Sequence, residues 1–66
     1  MTKQEAIEKM RQGIKITHEN FTSDEWMTMD GFTIVLEDGV KCDDFEFWRW
    51  RTDKSWNDGY SFFKQR

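Results

Sequence analysis

Apolar residues recur at helical spacing only near the start of the chain. Ala6, Ile7 and Met10 fall on one side of a 3.6-residue period, with charged residues between them. Thr2-Lys3-Gln4-Glu5 ahead of them has the form of a capping box, in which Thr2 accepts from the Glu5 amide and the Glu5 side chain reaches back. Gly13, after Arg11 and Gln12, is the expected stop. The period then shortens to two. Ile14-Lys15-Ile16-Thr17-His18 predicts a strand with Ile14 and Ile16 inward and Lys15 and Thr17 outward. Thr22-Ser23-Asp24-Glu25 suits a single capped turn of helix. Trp26–Met29 and Phe32–Leu36 flank Asp30-Gly31, which predicts a hairpin. Glu37-Asp38-Gly39 predicts a second turn, leading into Val40-Lys41-Cys42.

Asp43-Asp44-Phe45-Glu46 repeats the capping-box form and predicts a short helix from Phe45 to Arg51, although the alternation there also suits a strand. On a helix, Phe45 and Trp48 share one face, and Phe47, Trp50 and Arg51 a neighbouring one. Trp56-Asn57-Asp58-Gly59 reads as a turn and Tyr60 to Lys64 as a last strand. The expected fold class is α+β: an N-terminal helix, a small antiparallel β-meander, a short second helix and a C-terminal strand, in one domain spanning residues 1–66.

Composition changes this picture in one respect. From Phe45 to Arg66 every large apolar side chain is aromatic, eight in all. In so short a chain such rings serve either as a dense core or as a platform for a planar ligand. Phe45, Trp48, Tyr60 and Phe62 are expected in the core, leaving Arg49, Trp50 and Arg51 for a ligand or a second subunit. Sixty-six residues lie below the size at which one core is comfortably self-sufficient, so a homo-oligomer is expected. A single cysteine, Cys42, excludes an internal disulfide, and one cysteine with one histidine is a poor zinc set. No apolar run approaches a membrane span, and the first residues lack the apolar stretch of a signal peptide, so a cytoplasmic location in a host cell is expected.

Charge is unevenly spread. Residues 1–18 carry a net +2, residues 19–46 a net −8 and residues 47–66 a net +3. An acidic middle disfavours general nucleic-acid binding but leaves room for a local cationic site formed by the two ends. It also offers an acidic face to a basic host protein. Catalytic chemistry finds little material. His18 and Cys42 are the only members of their types, and the glycines stand singly rather than in a phosphate-binding loop. Asp43, Asp44 and Glu46 would attract a divalent cation, but helix capping accounts for them more simply. The best candidate ligand-binding set is Lys15, Arg49, Trp50, Arg51 and Trp56, with Trp26 near the same surface: aromatic faces for stacking and cations for phosphate. No cofactor and no metal is expected.

The chain resembles a group of very short, uncharacterised bacteriophage proteins. The residues that carry this are Glu5-Ala6-Ile7-Glu8-Lys9-Met10, Gly13-Ile14-Lys15-Ile16-Thr17-His18, Phe21-Thr22-Ser23-Asp24-Glu25-Trp26, Glu37-Asp38-Gly39, Phe47-Trp48 with Arg51, and Trp56 with Gly59-Tyr60. More loosely, the helix-Gly-Lys-strand opening and the Trp-containing end resemble the Thoeris anti-defence sponges, although Asp53-Lys54-Ser55-Trp56 departs from that family's acidic-Ala-Asp-Trp ending. This second resemblance implies a non-enzymatic protein that oligomerises and sequesters a cyclic nucleotide or ADP-ribose-type signal. The alternatives are an acidic-faced inhibitor of a host defence protein and an accessory domain without a ligand.

Overall fold

A computed structural model describes residues 1–64. Helix α1 spans Lys3–Arg11. Its capping box forms as expected: Glu5 N–H donates to Thr2 Oγ1 at 3.2 Å and Thr2 N–H donates to Glu5 Oε1 at 3.0 Å. These bonds draw the Glu5 carboxyl below its ordinary pKa. At the other end Gly13 adopts φ +82°, and the Gly13 and Ile14 amides donate to the Met10 and Lys9 carbonyls. That is a Schellman ending, and it frees the chain to turn straight into the sheet.

Five short antiparallel strands follow: β1 Ile16–His18, β2 Met27–Asp30, β3 Thr33–Leu36, β4 Lys41–Asp43 and β5 Tyr60–Phe62. They lie in the order β4-β3-β2-β1-β5, so the last strand returns to pair with the first. Helix α2, Asp44–Arg49, follows β4 directly, and a single 3-10 turn at Lys54–Trp56 precedes β5. The architecture is α+β, with an antiparallel sheet and both helices on one face of it. Ala6 and Met10 from α1 and Phe47 from α2 join Ile16, Met27, Met29, Ile34 and Tyr60 in one buried cluster. Register explains the selection: Met27 pairs with Ile16 and Leu36, Met29 with Ile34, and His18 with Tyr60, which puts these side chains on the helix-covered face.

Several expectations need correction. Strand β1 begins at Ile16 rather than Ile14, and β5 ends at Phe62 rather than Lys64. Residues 22–25 form a turn, not a helical one, closed by Glu25 N–H to the Thr22 carbonyl and Thr22 N–H to Glu25 Oε1. In the first hairpin Asp30 pairs with Thr33, so the two-residue loop is Gly31-Phe32. Gly31 has φ +62° and Phe32 stays at negative φ, the pattern of a type II′ turn with glycine first. This lifts Phe32 out of the strand to the tip, where it is 74% exposed.

Helix α2 is one residue earlier at its start and two shorter at its end than expected, with Asp43 as N-cap and Trp50 as C-cap. Asp43 accepts from Phe45 N–H, while Glu46 pairs with Arg49 at 3.6 Å instead of closing a box. The expected division of rings also shifts. Phe47 is the buried residue of α2; Phe45 is 73% exposed and Phe62 sits at the sheet edge, about half exposed. One turn of helix packed on a sheet buries only the residue aimed at the sheet. Phe47 holds that position, with Trp48 half-buried beside it.

Candidate ligand-binding surface

The five candidate residues fall into three separate settings. Lys15 lies just before β1, its ammonium 4.4 Å from the centre of the Trp26 ring, and Trp26 in turn is 6.3 Å from Phe63. This half-buried group borders β1 and β5. An open depression of about 780 Å³ lies alongside, lined in part by Thr17, Ser61, Phe63 and Lys64.

Arg51 and Trp56 form the second setting, and both are engaged within the fold. The Arg51 guanidinium lies 3.9 Å from the Phe47 ring centre and 5.4 Å from Trp56, and Nη1 donates to the Phe47 carbonyl at 3.0 Å. Trp56 stacks on His18 at 4.2 Å with the planes 23° apart. It does not meet Trp26, which belongs to the first setting.

His18, read from the sequence as a residue beside a strand, is buried. Nδ1 accepts from Asn20 N–H at 3.0 Å, which places the ring proton on Nε2. Nε2 then donates to the carbonyls of Ser55 and Asp58, each at 2.8 Å. Tyr60 meets the same ring edge-on at 4.5 Å and donates its hydroxyl to the Trp56 carbonyl at 2.6 Å. The imidazole thus holds the 55–58 segment against β1 with every polar atom satisfied. It has no lone pair left for base catalysis and no thiol in reach: Cys42 lies on β4, with β3 and β2 between. Burial also pushes the Cys42 thiol above its ordinary pKa, away from the reactive thiolate.

Arg49 and Trp50 make the third setting, at the C-terminal end of α2. Trp50 is 77% exposed, the most exposed large apolar residue described, and the Arg49 guanidinium stands 5.3 Å from its ring centre. A groove of about 330 Å³ runs along the same helix between Asp44, Phe45, Trp48 and Arg49. The structure therefore keeps Arg49 with Trp50 on an open surface, engages the half-buried Arg51 and Trp56 in contacts with the fold, and sets Lys15 with Trp26. Phe45, expected in the core, and Phe32, expected in a strand, join the open surface. The turn type and the brevity of α2 decide this, and neither is legible in apolar spacing.

Among the described residues no three His, Cys, Asp or Glu side chains converge on a possible metal site. No helix described is long and apolar enough to cross a membrane. No family model, no curated protein and no solved structure matches the chain.

Proposed function

We propose that this is a non-enzymatic, phage-type binding protein that captures a nucleotide-derived signalling molecule and so blunts a host antiviral defence. The observation that carries this reading is the exposed Trp50 with the Arg49 guanidinium beside it. A tryptophan in a chain short of core residues is worth most when buried, so a fully presented ring needs another use. A planar base stacks on such a ring, and a neighbouring guanidinium binds phosphate oxygens in a bidentate fork. The loose resemblance to signal-sequestering proteins points the same way. So does the placing of His18 and Cys42, which keeps these two from acting together as base and nucleophile.

Isothermal titration with cyclic ADP-ribose isomers and with cyclic di- and trinucleotides tests it. Binding is expected with at least one of them, with affinity falling about tenfold or more in Trp50→Ala, the scale of one lost base stack. Absence of heat with every member of the series overturns the reading.

A further inference from the structure

Three large rings stand about three-quarters exposed, and all three flank one helix. Phe45 lies on its outer face. Phe32 sits at its N-terminal end, where the Phe32 carbonyl accepts from Asp44 N–H, and Trp50 caps its C-terminal end. Together they present roughly 400 Å² of apolar surface, taking ~150–250 Å² per ring. Charge along the same helix is polar in the vectorial sense: Asp44 and Glu46 in the first turn, Arg49 in the last.

We infer that the outer face of α2 pairs with a second copy of this chain about a two-fold axis, the two helices running antiparallel. A two-fold axis demands a patch that complements itself. Antiparallel pairing about the middle of α2 brings residue 45 of one copy level with residue 48 of the other, and residue 44 level with residue 49. Phe45 then enters the groove between Trp48 and Arg49 of the second copy, the groove it borders in its own. Arg49 reaches the opposing Asp44, and the ring at each N-terminal end, Phe32, meets the ring at the opposing C-terminal end, Trp50. A parallel arrangement would set acid against acid and base against base. The apolar area is about half of the ~800 Å² that each partner contributes to a standard interface, so the dimer is weak and concentration-dependent.

This pairing stands independently of the nucleotide reading, and its test contains no ligand. Sedimentation over a dilution series reaching about 1 mM should show the mass rising from the 8.1 kDa of the monomer toward twice that value. Phe45→Ser, at an exposed site, should remain monomeric with an unchanged far-ultraviolet circular dichroism spectrum. Asp44→Arg and Arg49→Asp should each weaken association by about tenfold, and the double reversal in one chain should restore it. A protein that stays monomeric throughout, a dimer indifferent to Phe45→Ser, or a double reversal that fails to restore association each overturns the proposal.

Discussion

Arg49 and Arg51 sit two positions apart and do opposite work. The Arg51 guanidinium covers the Phe47 ring and holds the carbonyl of that residue, so its charge is spent inside the fold. Arg49 has an exposed pair with Glu46 and the exposed Trp50 ring beside it, contacts worth little in water. Arg51→Ala should therefore lower unfolding stability by about 1–2 kcal/mol in urea titration. Arg49→Ala should change it by less than about 0.5 kcal/mol while weakening any phosphate-bearing ligand. A stability loss in Arg49→Ala as large as that in Arg51→Ala would contradict this division.

Tyr60 carries a second prediction. Burial pushes its phenol up to about 12, against the pull of the Arg51 charge, and its proton is the one donated to the Trp56 carbonyl. An unfolded tyrosine ionises near about 10. The contribution of protonated Tyr60 is thus complete below about pH 10 and is lost as pH rises from there toward about 12. Melting temperature should fall across that window, and Tyr60→Phe should flatten the fall. Because Tyr60 is the only tyrosine, tyrosinate absorbance in the native protein reports it alone. His18, next to it, was not legible as a core residue. Its partners lie 37 and 40 residues away at Ser55 and Asp58, and no local pattern encodes such a meeting.

At the level of elements, what the sequence encodes locally is what it reveals. The α1 capping box and the Gly13 ending are chemical contacts among residues three to five apart, and both form as read. Asp43 caps α2 for the same reason. The first hairpin is half legible. Gly31 does occupy the turn at positive φ, but Asp-Gly suits a type I′ loop, whereas the Asp30–Thr33 pairing gives a type II′ loop of Gly31-Phe32. That one-residue shift moves Phe32 from strand to tip. At α2 the period of the rings is compatible with several faces. Only the β3–β4 register, which launches the helix from Asp43, selects Phe47 as the buried one.

In the whole molecule, the proposed ligand surface and the proposed dimer surface share Trp50. A planar ligand on that ring and Phe32 of a second copy cannot occupy the same face, so the two equilibria are linked and each opposes the other by the same factor. Apparent ligand affinity should fall as protein concentration is raised through the dimerisation range. Phe45→Ser should bind ligand with an affinity that does not depend on concentration. Titrations at two protein concentrations, run with both proteins, measure this. Equal affinity at both concentrations in the parent protein would sever the link.

The return of β5 to β1 also sets when this molecule can exist. Ile16 pairs with Phe62, His18 finds its partners in Tyr60, Ser55 and Asp58, and the Met1 ammonium and the Lys3 amide donate to the carbonyls of Tyr60 and Asn57. Translation delivers about 5–20 residues per second, so the interval between residue 18 and residue 60 lasts roughly 2–8 s. Through that interval β1 has α1 and β2 beside it, but its other edge lacks β5 and the His18 ring lacks the carbonyls that Nε2 holds. Closure of the sheet therefore waits for residue 60, and a ribosome stalled before that point holds an open and protease-sensitive chain.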